Sequence, residues 1–321
     1  MNYRQLGNTG ISISEIGYGC SALFGKDILG KPGIDEEKAF ALIETAIKYG
    51  INFFDTGFNY GYAEERLGRC LSKLYQNGLH REQVIIETKC GETLKEDGTY
   101  GGLDWSPDWI KKSVEISLKR LQTDYVDLFA MHGGRIEDCS DELLNCFSDL
   151  KSEGIIRAYG MNTFNTQVIE WIGETKSFDY IMLDYNIMRQ DREKTIASLY
   201  DKGIGVIAGA ALGESLYSKR VYRMKGRKDL WYFLRALKNF RGQMKKGKEF
   251  RFLSKSDEGT SNQLALRYVL DNPYVASAVF NTSNVDHLVE NVKATNITMS
   301  EKLRNKIQKN KLAVSTSSLD R

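Results

Sequence analysis

Tyr125-Val126-Asp127-Leu128-Phe129-Ala130-Met131 is a short apolar run, of strand length rather than helix length. Leu143, Leu144, Phe147 and Leu150 follow at helical spacing, Gly154 stops that helix, and Ile155–Tyr159 is apolar again. A strand, a helix and a second strand in quick succession form a βαβ unit. Its two strands pair in parallel through a right-handed crossover.

The same rhythm extends both ways. Upstream, strands are expected at Ile16–Gly19, Asn52–Asp55 and Val84–Ile86. Asp35 is placed to cap the first helix, which carries Ala39, Leu42, Ile43, Ala46 and Ile47 on one face and stops at Gly50. Leu67, Leu71 and Leu74 mark the second helix, and Ser106-Pro107 opens the third. Downstream, strands are expected at Tyr180–Leu183, Ile204–Ala208 and Val275–Val279, with helices near 166–172, 192–200, 261–270 and 285–292. Eight strand–helix units without a break in composition favour one closed (β/α)₈ (TIM) barrel domain over residues 1–321. No G-x-G-x-x-G follows the first strand, which disfavours an open dinucleotide-binding sheet. Tyr3–Leu6 and Ile11–Ser14 flank Gly7-Asn8-Thr9-Gly10 as a β-hairpin suited to plug the barrel's bottom.

A long segment, Leu212 to Gly259, follows strand seven. It is rich in cations (Lys219, Arg220, Arg223, Lys225, Arg227, Lys228, Arg241, Lys245, Lys246, Lys248) and in aromatics (Trp231, Tyr232, Phe233, Phe240, Phe250, Phe252). It reads as a lid over the site, or as a solvated excursion whose aromatics pack on the rim. Overall composition is ordinary: 41% hydrophobic, 27% charged and a formal charge of +3, which indicates neither a nucleic-acid nor a membrane-surface partner. No run is long and apolar enough to span a membrane, and no signal-peptide core is present. Five cysteines without a C-x-x-C pair fit reduced thiols in a cytoplasmic protein. Nothing in the sequence assigns an oligomeric state.

On a parallel barrel the reacting groups stand where strands end, at the C-terminal face. Asp55 ends strand two, Lys89 strand three and His132 strand four, while Tyr60 follows Asp55 in the loop. Any one of them has a bland reading: the aspartate as a turn residue, the lysine as a side chain reaching for water. Together they suit carbonyl reduction, in which hydride addition leaves negative charge on oxygen and a proton must arrive. A phenol titrates near ~10, and a neighbouring ammonium lowers that value and strengthens the acid. Lys89 supplies the ammonium, Asp55 holds it charged, and neutral His132 positions the substrate oxygen. No metal is needed.

Phe54-Asp55-Thr56-Gly57-Phe58-Asn59-Tyr60-Gly61, Glu87-Thr88-Lys89 and Met131-His132 resemble the Asp/Tyr/Lys/His tetrad of aldo-keto reductases. Asp104–Pro107, Leu121–Leu128 and Gln263–Arg267 also look like signatures of that family, and the likeness runs from about Tyr3 to about Asn291. The resemblance implies a barrel enzyme, an NAD(P)(H)-dependent reductase or alcohol dehydrogenase acting on a small carbonyl, alcohol, sugar or secondary metabolite. It implies Tyr60 as proton donor, Lys89 and Asp55 tuning it, and His132 orienting the carbonyl. It implies NADP(H), less often NAD(H), as the cofactor.

By the same resemblance, Asn162 and Thr163 after strand five would contact the nicotinamide, in place of the usual Ser-Asn. Met182 stands where a glutamine usually meets the carboxamide and cannot donate in its place. Gly209 stands where an aromatic often stacks, leaving space that Tyr217 is the candidate to cover, and Ala210, Leu212 and Gly213 complete that loop. Asn281, Thr282 and Ser283, with the helix N-terminus at Asn284, would hold the adenosine phosphate, followed by His287 and Asn291. Histidine rather than arginine at 287 leaves NADP(H) against NAD(H) open, with a slight lean to NADP(H). Phe24 and Phe58 are the candidate substrate-pocket aromatics, with Trp105 and Trp109 as rim packing. Two other readings keep the barrel: a cofactor-sensing regulatory subunit, and an isomerase or lyase that returns the hydride it removes.

Overall fold

The computed structural model describes residues 1–24, 34–95, 99–217 and 241–315. Eight parallel strands close into a barrel in the order β3 (Ile16–Gly19), β4 (Phe53–Asp55), β5 (Ile85–Cys90), β8 (Val126–His132), β9 (Ile156–Asn162), β10 (Tyr180–Asp184), β11 (Gly205–Gly209) and β12 (Ser277–Phe280). Strand β12 then pairs back onto β3, with Val279 opposite Gly17. Helices α1 (Glu36–Lys48), α2 (Ala63–Gln76), α3 (Pro107–Leu121), α4 (Asp141–Ser152), α5 (Thr166–Thr175), α6 (Glu193–Asp201), α7 (Arg241–Glu249), α8 (Ser261–Leu270), α9 (Val285–Val292) and α10 (Glu301–Ser315) lie between and after them. None of the described helices is long and apolar enough to cross a membrane. The five cysteines are buried free thiols.

Local chemistry explains the boundaries. Asp35 accepts from the Lys38 amide at the start of α1, and Gly50 takes φ +84 just past its end. Ser106 caps α3, with Pro107 in the first turn, where a missing N–H costs nothing.

The N-terminal hairpin, β1 (Tyr3–Gln5) with β2 (Ser12–Ser14), closes the N-terminal end of the barrel as expected. Leu6, Ile11 and Ile13 join Phe53, Ile85, Leu128, Tyr180, Ile207 and Val279 in the barrel's inner core. The Asn8 amide bonds Gly203 O at 2.9 Å, and Arg4 reaches the carbonyls of Leu270, Asn272 and Val275. The C-terminal ends of the barrel strands lie at the opposite face.

A second hairpin, β6 (Glu92–Leu94) with β7 (Tyr100–Leu103), was not expected; it rises from the end of β5 and carries little apolar alternation. The C-terminal helix α10 was not expected either. Its Leu303 and Ile307, with Met299 just before it, complete a satellite core of Ile187, Met188, Leu216, Tyr217, Met244, Phe250 and Leu253. The described part of the long segment after β11 thus packs its apolar side chains, as the rim-packing alternative has it. Lys219, Arg220, Arg223, Lys225, Arg227, Lys228, Trp231, Tyr232, Phe233 and Phe240 lie outside the described residues.

Helices α2 and α3 meet at Gly68, where an added Cβ would lie 2.5 Å from Arg120 O. Overpacking against backbone costs about 1–3 kcal/mol, more than the roughly 1 kcal/mol alanine gains over glycine in a helix. Gly68→Ala is expected to lower the urea midpoint without changing the slope of the transition.

Candidate active site

Side chains on β5 alternate. Ile86, Thr88 and Cys90 face the helices, while Ile85, Glu87 and Lys89 face the barrel interior. The lysine is 1% exposed, and an ammonium so placed requires partners. It has them: Nζ donates to Asp55 Oδ1 at the end of β4 and to Thr56 O at 2.7 Å.

The loop after β4 runs along the end of β5, through Thr56 N to Glu87 O (2.8 Å) and Phe58 N to Lys89 O (3.2 Å). Arg120 of α3 holds the loop from outside, donating to Phe58 O at 3.1 Å and Glu64 Oε2 at 2.9 Å. This frame brings Tyr60 over the lysine, with Lys89 Nζ 5.2 Å from the ring centroid. His132, at the end of β8, meets Tyr60 edge-on at 5.8 Å between centroids. The four residues picked out in the sequence thus converge at one end of the barrel.

Charges in this cluster act in opposite directions. Burial pulls the Lys89 ammonium down, but Asp55, Tyr60 and Glu87 outweigh it and hold the group charged, above its ordinary value. For Tyr60, Lys89 is the largest single influence and pulls the phenol down, as expected. Burial, Asp55, Glu87 and Glu92 together overcome that pull and leave the phenol above its usual value. The expected net lowering is therefore reversed, because burial and then the surrounding carboxylates outweigh the ammonium. Tyr60 keeps its proton across the neutral range.

Two nearby side chains were missed, Glu87 and Glu92. Glu87 lies in the barrel one inward position before Lys89 and accepts from Tyr180 Oη at 3.0 Å across the lumen. Burial pushes its carboxyl up to about 8, although Lys89 pulls it down. The signal was available, since a glutamate at an inward position of a buried strand is unusual. Glu92 opens β6 and contacts His132 Nδ1 through Oε1, which also accepts from Asn59 Nδ2 at 2.9 Å.

The residues assigned to the cofactor and substrate divide. Asn162 Nδ2 and the Thr163 amide both donate to Met182 O, at 3.3 and 3.0 Å, and Thr163 Oγ1 accepts from Asn165 N. The Met182 side chain lies in the inner core, only its carbonyl serving these neighbours. Gly209 is itself close-packed: a Cβ there would be 3.1 Å from Met182 Cγ. Tyr217 is fully buried in the satellite core, its hydroxyl on Asn262, so its ring is enclosed by protein rather than offered to a ligand. Phe58 is also turned inward, edge-on to Trp109 at 5.8 Å and under the Arg120 guanidinium at 4.6 Å. Phe24 is 43% exposed, with its ring against Gly61 beside Tyr60.

Residues 210–213 make a tight turn. Ala210 is exposed at φ +50, and Leu212 in the right-handed region precedes Gly213 at φ +49. Within the turn the Gly213 amide donates to Ala210 O at 2.8 Å. A Cβ at Gly213 would fall 2.4 Å from Met188 Cε, so a larger residue there would have to displace that methyl.

Asn281 Nδ2 donates to Ser21 Oγ, and Thr282 O accepts from Tyr18 Oη, both at 2.7 Å, fastening this loop to the first strand. At the start of α9, Asn284 Oδ1 takes the amides of Asp286 and His287, and Asp286 adds a carboxylate to the first turn. That end of the helix is less available to a phosphate than the sequence suggested. Ser283 is exposed, His287 partly buried and Asn291 buried beneath the helix.

Comparisons with known proteins agree with this geometry. A family model described as the aldo/keto reductase family matches residues 15–311. An uncharacterized oxidoreductase, YqkF, of Bacillus subtilis is 32% identical over 92% of this chain and 92% of its own. L-galactose dehydrogenase of Arabidopsis thaliana is 31% identical over 91% and 87%. Among solved structures, the aldo-keto reductase AKR11C1 from Bacillus halodurans in its holo form superposes with a TM-score of 0.77 at 30% identity, covering 97% and 96%.

Proposed function

The chain belongs to the aldo/keto reductase family, oxidoreductases that use NAD(P)H, and on that premise we propose that it transfers hydride between a nicotinamide cofactor and a small carbonyl or alcohol, with Tyr60 as the proton donor. The observation that carries this reading is the buried Lys89 ammonium, held by Asp55 and Thr56 O beneath the Tyr60 ring with His132 alongside. A phenol that keeps its proton is in the right state to protonate a developing alkoxide, and the ammonium below it stabilises the phenolate left behind. Asp55 keeps Lys89 charged, and His132 orients the substrate oxygen.

When bound, the nicotinamide supplies or takes up the hydride. Asn162 and Thr163, the turn at Gly209, Ala210, Leu212 and Gly213, and Asn281–Ser283 with His287 and Asn291 would hold the cofactor. Phe24 would line the rim of the substrate pocket. The likeness to L-galactose dehydrogenase places polyhydroxylated alcohols first among compounds to screen.

Titration of tryptophan fluorescence with NADH and NADPH tests the premise directly. Saturable binding followed by turnover of a carbonyl or alcohol supports the reading; no binding of either cofactor would sink it. Residues 281–291 hold no lysine or arginine, and Asp286 stands at the helix start. Both cofactors are accordingly expected to bind. His287→Arg is expected to tighten NADPH about tenfold through one charge-assisted contact, leaving NADH unchanged; equal tightening of both would refute a role at the phosphate.

A further inference from the structure

Glu87 and Asp55 stand opposite each other in register on β5 and β4, and both side chains turn into the barrel. Glu87 is fully buried and Asp55 only 7% exposed, so neither carboxyl has bulk water to turn to. Lys89 donates to Asp55, and Tyr180 Oη donates to Glu87 Oε1 at 3.0 Å, but Glu87 Oε2 finds no donor among the described residues. The Glu87 carboxyl instead lies within hydrogen-bonding reach of Asp55. The other titratable groups packed around the pair are Tyr60 above Lys89 and the thiols of Cys20, after β3, and Cys90, which burial keeps protonated. Leu128, Ala130, Met182 and Ile207 line the lumen with apolar surface.

Two adjacent carboxylates repel, and out of water the repulsion is strong. One ammonium cannot balance both, so one carboxyl keeps its proton. An ionised carboxylate only accepts hydrogen bonds, whereas a carboxylic acid also donates. Asp55 is already committed as acceptor to the ammonium. The proton therefore belongs on Glu87, where it turns an oxygen without a donor into a donor towards Asp55. Burial acts in the same direction and holds the Glu87 carboxyl up to about 8.

We propose that Glu87 is a positioning residue that shares one proton with Asp55, fixing Asp55 against Lys89, and that loss of this proton at alkaline pH weakens Tyr60 as an acid. The assignment rests on Tyr60 being the proton donor of the proposed oxidoreduction. Release of the proton to solvent leaves one more negative charge beneath the phenol. Lys89 is then held more firmly as an ammonium, and the phenolate becomes harder to form. Glu87 lies a layer below the reacting groups and acts on them through Asp55 and Lys89.

Infrared difference spectra of the ligand-free full chain, wild type minus Glu87→Gln, test the shared proton. The C=O band of a protonated carboxyl is expected at about pH 6, where ordinary carboxyls are ionised, and should vanish as pH rises through about 8. Glutamine keeps both contacts, its amide oxygen accepting from Tyr180 and its NH₂ donating to Asp55, but has no proton to lose. The reductive kcat of the wild type should fall about tenfold through the same pH, the loss that a tenfold weaker phenol would bring. In Glu87→Gln, kcat should instead hold until Tyr60 itself ionises, a difference in pH profile that a merely structural role would not produce.

No carboxyl band in the wild type, or an alkaline fall in kcat that persists in Glu87→Gln, overturns the proposal. Wild-type spectra on either side of the transition decide alone should the variant fail to fold. A band that behaves as expected in a protein that binds neither NADH nor NADPH would instead refute the proposed oxidoreduction, so the two failures are distinguishable.

Discussion

Replacing Tyr60 with phenylalanine is expected to lower kcat by about 10²–10⁴-fold, the range a positioned proton donor contributes, with cofactor affinity unchanged. The change removes one oxygen and keeps the ring, so the edge-on packing against His132 and the position above Lys89 persist. Single-turnover kinetics with NADH or NADPH check it, together with the fluorescence titration. A fall confined to kcat means that an interaction made only in the transition state has gone. Turnover surviving in Tyr60→Phe would remove Tyr60 from the role. A variant that loses cofactor binding instead would mean the ring is structural. Because the Tyr60 phenol sits above its ordinary value, loss of reductase activity from its own ionisation should appear only on the alkaline side of its usual range.

Much of this site was legible because the barrel converts order along the chain into position around a ring. Asp55, Lys89 and His132 end neighbouring strands, so the period-two pattern that places Ile85 and Lys89 on one face also brings their polar ends together. What was not legible depends on angles that periodicity does not carry. Phe58 and Tyr60 share one loop, yet Arg120 draws the first ring against α3 while the second stands over Lys89. Tyr217 was offered as a cover for a bound ring, but α10, a helix the sequence reading omitted, supplies part of the apolar core that encloses it. Glu92 lies on a hairpin of Glu-Thr-Leu and Tyr-Gly-Gly-Leu with little hydrophobic alternation, so neither the strands nor the contact with His132 could be foreseen. Glu87 was overlooked for another reason: attention to residues at strand ends passes over the layer below.

That lower layer carries the second large effect. Lys89→Met is expected to abolish turnover and to destabilise the chain by about 3–5 kcal/mol, the cost of leaving buried charge without its partner. Asp55 would lose its ammonium, and Glu87, fully buried beneath, would lose the one influence that favours its ionised form most. At alkaline pH, where the Glu87 carboxyl ionises, adding Glu87→Gln should restore part of that stability, since a neutral amide can still meet Tyr180 and no longer requires a cation. It should not restore activity, because the Tyr60 phenol would still lack Lys89. Glu87 also has its own pH signature. Its carboxyl is held up to about 8 in the folded chain, against about 4.3 for an ordinary glutamate. Its stabilising contribution is therefore full below the ordinary value and is lost as pH rises through the folded one. Urea midpoints measured between about pH 4.5 and 8 should fall for the wild type relative to Glu87→Gln. Parallel midpoints would show that Glu87 is ionised throughout. Additive losses in Lys89→Met/Glu87→Gln would show that the two side chains do not share one electrostatic cluster.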